Sequence, residues 1–355
     1  MFKVLTTIKT RPVPLASFLF IGLIFGSLLV GCEREADAAL AFERFSGNTM
    51  GTTYHVTVVA QAQGEPLSLD SEAFKRGLDA ELAQINQQMS TYIADSELMR
   101  FNRSPVGAWQ SLSEPLAAVL AISRTVSERS NGAFDISVGP LVNLWGFGPE
   151  AEPEQVPSEE ELLALRQRVG YRKLELDEQR ARRLADIQLD LSAVAKGYGV
   201  DHIARWIESR GFENYLVEIG GEVYLSGVSP RGDAWRIGVE QPSLLQEGGR
   251  MALALSDIGM ATSGDYRNYY ERNGVRYSHT IDPRTGRPIV HKLASVTVLA
   301  ETAAEADAWA TALNVLGPEA GMAVAEREKL AVYMIVKAGE GYEDRFSSAF
   351  EPYRP

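Results

Sequence analysis

Cysteine is all but absent: the 355-residue chain has one, Cys32. No intramolecular disulfide can form, and no thiol pair exists to bind zinc or run redox chemistry. So thiol-poor a chain suits an oxidising compartment, although cytosolic chains can also be cysteine-poor. Other signatures are missing too. There is no Gly-x-Ser-x-Gly elbow of an α/β-hydrolase, no His-Glu-x-x-His or Cys-x-x-Cys, no Gly-x-Gly-x-x-Gly after a strand and no Walker loop. A nucleotide site here must be of another kind. Positive charge is scarce: the net charge is −12, which argues against broad nucleic-acid binding. An anionic ligand therefore has to be held by local positive charge, a metal or helix ends. No internal repeat or low-complexity tract occurs, and the 45% apolar fraction is ample for a core.

The longest apolar run lies at the N-terminus. Lys3, Lys9 and Arg11 precede an almost unbroken apolar stretch from Leu15 to Val30. That is shorter than the roughly 20 residues a spanning helix needs, and it fits the apolar region of a signal peptide. It ends Leu29-Val30-Gly31-Cys32, which resembles a bacterial lipoprotein processing site with Cys32 as the lipidated residue. The expected division is a signal peptide over 1–31, a polar tether over 32–45 and a folded domain over 46–355. The resemblance implies a membrane lipoprotein facing the periplasm, and Glu33 after Cys32 leans toward the outer membrane. The alternative is an uncleaved anchor with Cys32 incidental.

In the body of the chain, Tyr54 to Val59 alternates and reads as the first strand, with Met50-Gly51-Thr52-Thr53 leading in. Asp70 or Ser71 can cap a helix whose stripe is Phe74, Leu78, Leu82, Ile85 and Met89. Tyr92 follows at its polar exit, either stacking on a ring or packing in the core. A second helix covers about Pro115 to Ser130, and Asn131-Gly132 ends it. Ala133-Phe134-Asp135 opens a buried-looking run that ends Gly139-Pro140, then an exposed acidic loop over 150–161 and a helix from Glu159 to Val169. Arg183 to Leu191 reads as a strand running into a helix at Ser192-Ala193-Val194-Ala195-Lys196-Gly197, with Ser192 as candidate cap. A lysine in a first helical turn is electrostatically misplaced unless an anion joins it there, or unless it snorkels to water. Gly220-Gly221 sits inside a strand-like run, marking a bulge or a ligand against the backbone. Further strands lead to a hairpin signal at Asn273-Gly274 and to Ser278-His279-Thr280-Ile281-Asp282-Pro283. Arg284 and Arg287 flank that turn and are expected beside a phosphate-bearing ligand. Thr302 can cap a last helix, ending at Gly317-Pro318, on which Asp307 and Thr311 share a face near Asn314. A carboxylate beside a hydroxyl suits a hard cation such as Mg²⁺, though alone it is an ordinary solvated face. Strands reached by hairpins favour an α+β fold, with mixed or antiparallel sheets and packed helices in a single compact unit.

Taken in order, seven stretches carry a family resemblance: Met50-Gly51-Thr52, Met89 to Asn102, Phe134 to Pro140, Asp190 to Gly197, Glu218 to Glu222, Ser278 to Pro283 and Ala306 to Thr311. The chain resembles the ApbE family of FAD:protein FMN transferases over essentially its whole mature length. The resemblance implies a T-fold-related, ApbE-like domain. It places FAD, the substrate, against Met50, Tyr92, Ala133, Phe134, Asp135, Asp190, Lys196 and Ile281. It places Mg²⁺ on Asp307, Thr311 and the backbone oxygen of Ala193, and makes His279 the catalytic histidine. Some family members carry a second Asp where this chain has Ala310.

The implied reaction moves FMN from FAD to a Ser or Thr hydroxyl of a target protein, releasing AMP. The targets it implies are flavoprotein subunits of membrane redox complexes. A histidine, with an ordinary pKa of about 6.5, suits the deprotonation of that hydroxyl. His279 stands out over His55, His202 and His291, which read as structural or surface residues. Two rivals stand beside this reading: a Mg²⁺-dependent FAD pyrophosphatase with water as nucleophile, and a non-catalytic flavin-binding lipoprotein.

Overall fold

Eight strands follow one another in chain order across a single sheet: β1 (Phe42–Thr49), β2 (Thr52–Val59), β3 (Asn214–Ile219), β4 (Glu222–Ser226), β5 (Ile258–Gly264), β6 (Leu293–Ala300), β7 (Ala331–Ala338) and β8 (Gly341–Phe346). Every neighbouring pair is antiparallel. The computed structural model describes residues 39–148, 156–240, 249–264, 269–272 and 275–355, and Ala39–Pro355 forms one unit. The leader, Cys32, Glu33 and the Asn273-Gly274 turn lie outside the described residues.

Among the described residues seven α-helices join the strands: α1 (Ser71–Met89), α2 (Glu97–Asn102), α3 (Glu114–Arg129), α4 (Gly139–Leu144), α5 (Glu159–Arg166), α6 (Ala195–Glu208) and α7 (Ala303–Glu328). The first six lie between β2 and β3, and α7 crosses from β6 to β7. Period-two alternation sorts each strand between two cores. On β7, Val332, Met334 and Val336 face the helices, while Tyr333 and Ile335 face the opposite cluster. That second face is covered by a hairpin of Trp235–Glu240 and Gly249–Leu255 and by the C-terminal 3-10 turn around Phe350. The Phe74, Leu78, Leu82, Ile85 and Met89 stripe is buried as its spacing predicts, and Asp70 caps α1 by accepting from the Ala73 amide.

Several elements differ from the sequence reading. The segment expected as a tether over 32–45 already contains β1 from Phe42, with Leu40 and Phe45 buried. Tyr54–Val59 is therefore the second strand. Met50-Gly51 is the two-residue turn of the first hairpin, with φ of 49° and 74°. Such a turn needs positive φ at both places to match strand twist. Gly220-Gly221, with φ of 57° and 101°, likewise turns β3 into β4 instead of bulging one strand. The strand expected from Arg183 to Leu191 stops at Arg183. Beyond it the chain is held by side chains, with Asn102 bonding both the N–H and the C=O of Leu189. Ser192 does not cap α6, because its hydroxyl and amide turn back to Asp190. The last helix breaks at Gly317 (φ 78°) as Gly-Pro predicts, and then resumes to Glu328.

Candidate active site

Two helix N-termini meet at the sheet. The N-cap position of α6 is Val194, which offers no side-chain acceptor. Asp307 on α7 supplies one instead: its Oδ2 accepts from the Gly197 amide at 3.1 Å. Asp201 on α6 in turn accepts from Ala303 and Ala304 at the start of α7, at 2.7 and 2.9 Å. Thr302 takes the Glu305 amide. The helices come this close because residue 197 is glycine: a Cβ there would lie 2.3 Å from the Ala303 carbonyl oxygen.

Lys196 points from the first turn of α6 into a cavity of about 440 Å³. Its carboxyl partners are Glu222, with Oε2 at 2.9 Å, and Asp307, with Oδ2 at 3.7 Å. Burial opposes the ammonium charge, but Asp307 and Glu222 outweigh it and raise the lysine pKa. Burial pushes the Glu222 carboxyl up to about 8, against the pull of Lys196 and with Asp307 adding to the rise. Burial also pushes Asp201 up to about 6, opposed by the two amides it accepts. Glu222 Oε2 is buried and in ion-pair contact with Lys196, yet it lacks a well-formed hydrogen bond.

The cavity brings together nearly all of the residues expected at the site. Tyr92, Ala133, Phe134, Asp135, Asp190, Ala193, Lys196, His279, Ile281, Asp307 and Thr311 all line it. Met50 does not: its side chain packs over Gly199, behind α6. Tyr92 is 73% exposed at this cavity, which settles its two readings against core packing. Asp135 has both oxygens engaged: Oδ1 accepts from the Ser137 amide and hydroxyl two residues on, and Oδ2 from the Tyr171 amide of a distant segment. Burial raises its pKa, with those donors opposing. Its carboxylate therefore braces the Phe134 wall. Ala310 is buried in the main core and is not among the lining residues.

His279 stands between the Val275–Ser278 strand and the short Ile281–Asp282 strand, edge-on to Phe147 with ring centres 6.3 Å apart. The turn after it is pinned from outside: Trp145 Nε1 donates to the Gly286 carbonyl at 2.8 Å, and Arg166 donates to that of Arg284 at 2.7 Å. The two arginines expected beside a phosphate are spent elsewhere. Arg284 forks onto Asp282, and Arg287 pairs with Glu159; neither lines the cavity. Lys196 is the one lysine or arginine among the described lining residues.

The other histidines have structural partners. His55 meets Glu218 and His202 meets Glu81, each at 2.7 Å. His291 Nε2 lies 2.6 Å from the Asn314 carbonyl oxygen, next to the break at Gly317. Sequence reasoning missed Glu222, Thr262, Ser263 and Phe147 as lining residues. For Glu222 a signal existed: the misplaced lysine asked for an anion, and the Glu218 to Glu222 stretch offered one.

Among the described residues no three His, Cys, Asp or Glu side chains group closely enough to cage a metal. The donors that do face the cavity are hard oxygens: the Asp307 carboxylate, the Thr311 hydroxyl and, on its wall, Ala193. With the buried Glu222 oxygen nearby, that set fits an oxygen-seeking cation that completes its shell with ligand phosphates and water.

Comparison with known proteins agrees with this arrangement. The family model described as "ApbE family" matches residues 50–334. A Vibrio cholerae protein named FAD:protein FMN transferase is 45% identical over 327 residues, 92% of this chain and 96% of that protein. The Escherichia coli K12 protein of the same name is 40% identical over 347 residues, 95% and 97% of the two chains. The solved flavin transferase ApbE from Vibrio cholerae superposes with a TM-score of 0.81 at 44% identity, covering 88% of this chain and 99% of that one. The apo flavinyl transferase ApbE of Pseudomonas stutzeri gives 0.81 at 40%, covering 89% and 97%. With its meander sheet, its paired helix ends and a match of this extent, the chain belongs to the ApbE family.

Proposed function

We propose that this chain transfers FMN from FAD to a target protein, as the names of its relatives describe. The observation that carries the reading is that His279, Lys196, Asp307 and Thr311, drawn from three separate stretches of sequence, line one cavity. A Ser or Thr oxygen of the target attacks the flavin-side phosphorus. A new P–O bond forms, the bridging P–O bond breaks and AMP departs with the bridging oxygen. His279 takes the hydroxyl proton. Lys196, held by Glu222 and Asp307 at the start of α6, lies where it can stabilise charge on the phosphoryl oxygens. Tyr92, Phe134 and Ile281 offer apolar surface to the flavin nucleotide.

Asp307, Thr311 and the Ala193 carbonyl would hold Mg²⁺, which supplies charge neutralisation for the diphosphate. The leader supports a lipoprotein anchored through Cys32 and facing the periplasm. That address suits targets in membrane redox complexes, such as the flavin-bearing subunits of sodium-pumping quinone reductases. Among the described residues no helix is long and apolar enough to cross a membrane.

The deciding test is intact mass spectrometry of such a subunit after incubation with the protein, FAD and Mg²⁺. An FMN adduct with stoichiometric AMP is expected. Free FMN with an unmodified subunit would replace transfer by hydrolysis.

A further inference from the structure

The cavity has a main-chain wall that the flavin reading leaves unused. β5 pairs with β6 from Gly259 to Gly264, but with β4 only from Ile258 to Met260. β4 cannot run further alongside, because Gly220-Gly221 turns the chain back into β3 just before Glu222. Past Met260 the β4-side edge of β5 meets only Glu222, the first residue of β4, opposite Ala261 and then has no strand beside it, and among the described residues no loop backbone bonds to it there. Successive residues of a strand direct their N–H and C=O to opposite edges, so part of the Ala261–Gly264 backbone faces that gap. Thr262, Ser263 and Gly264 line the same cavity as His279 and Asp307, together with Gly220 and Glu222 across it.

We infer that the target protein offers its hydroxyl on an extended segment that adds as a short strand along this edge of β5. The inference rests on the transferase reading. The side chains of the edge are already engaged, Thr262 with Thr297 at 2.8 Å and Ser263 with Asn314 at 3.2 Å. What remains for a partner is backbone, and backbone recognises extended peptide whatever its side chains. The edge is also geared to the chemistry: the fully buried Asn314 amide donates to Ser263 and, at 3.4 Å, to Thr280, the residue after His279. A strand docked on β5 is thereby held in fixed relation to the histidine. The edge spans roughly 10 Å, room for about three residues. The substrate class is therefore a Ser or Thr in an unpaired loop or terminus, not one inside a helix.

The test uses the full chain with FAD, Mg²⁺ and two acceptors: the quinone reductase subunit, and capped octapeptides with threonine fixed at one central place and the rest randomised. Strand addition predicts that some octapeptides are modified. In the best of them, single backbone N-methylation should lower kcat/KM by roughly tenfold at alternate residues and less than about twofold between them. Insensitivity throughout, or equal losses at consecutive residues, overturns the inference. So does modification of the subunit with no octapeptide modified, an outcome that leaves the transferase reading standing. If neither acceptor is modified, the transferase reading itself fails, and this inference with it. Amide hydrogen exchange gives an independent reading: the Ala261–Gly264 amides should slow when the Thr-to-Ala version of the peptide is added to the FAD complex. Slowing by FAD alone, with no more on adding peptide, assigns the edge to the nucleotide and overturns the inference.

Discussion

Asp307 on α7 accepts the Gly197 amide of α6 at 3.1 Å, so the carboxylate facing the cavity also caps the helix that carries Lys196. Asp201 returns the arrangement by accepting two amides at the start of α7. Each helix is capped by the other, and neither can shift without uncapping its partner. Such preorganisation lets fixed dipoles act on a phosphoryl group without reorganising during the reaction. It also gives Asp307 a capping duty beside the metal role proposed for it, and the two separate experimentally.

Asp307→Ala removes both. Loss of a capping acceptor costs about 1 kcal/mol of stability. The Mg²⁺ concentration for half-maximal transfer should rise by roughly tenfold or more. Initial rates across a Mg²⁺ titration, with urea unfolding alongside, check the two effects. An unaltered titration in a destabilised protein would leave Asp307 with its capping duty alone.

His279→Ala should abolish transfer while FAD still binds. Removal of a general base costs about 10² to 10⁴ in rate. Adduct formation by mass and FAD binding by equilibrium dialysis test the pair of outcomes, and a rate within a few-fold of the parent would remove His279 from the base role. Because the ring meets Phe147 edge-on, Phe147→Leu should lower the rate without shifting FAD affinity as far.

Much of this site was legible before the fold was known, and the parts that were not share a physical reason. Asp190 to Lys196 and Asp307 to Thr311 are local patterns, in which a helix start or an i, i+4 face can be read from spacing. The Lys196–Glu222 contact joins residues on different elements, and only the β3–β4 turn brings Glu222 round to the lysine. Arg284 and Arg287 looked like phosphate ligands because their acids were hidden, Asp282 in a tight local turn and Glu159 on a distant helix. β1 was missed because it is an edge strand on which only Phe45 and Thr49 are buried, so no alternation marks it. Met50-Gly51 therefore read as a strand entrance instead of a hairpin turn.

Lys196→Met tests the cation. Glu222 is already pushed up to about 8 by burial, even beside the lysine. Without the ammonium it rises further and holds its proton at neutral pH, so Glu222 strands no charge, while Asp307 keeps the Gly197 amide at the start of α6. The loss of stability should stay within about 1–2 kcal/mol, below the 3–5 kcal/mol of a broken buried pair. FAD affinity should fall by roughly tenfold, the loss of one charge-assisted contact. A large stability loss with unchanged FAD affinity would make the lysine structural.

Asp201 gives the pH signature. Its folded-state pKa is raised from 3.8 to about 6, because burial outweighs the two amides it accepts. A raised carboxyl pKa means the folded state binds a proton that the unfolded chain has already released between those values. Its contribution is therefore fully present below about pH 4 and is lost as pH rises through about 6. The shift corresponds to roughly 3 kcal/mol. Asp201→Asn cannot ionise, so its own stability lacks that slope, although its amide keeps one acceptor for the Ala303 or Ala304 N–H. The measurement is the difference in urea-unfolding free energy between parent and variant from pH 4 to 7. The parent should lose ground to the variant by about 2 kcal/mol across that window, the rest of the shift being lost below pH 4. A flat difference would mean the carboxyl is unshifted. A difference moving in the parent's favour would mean the two amides at the α7 N-terminus outweigh burial, placing the folded pKa below the ordinary value.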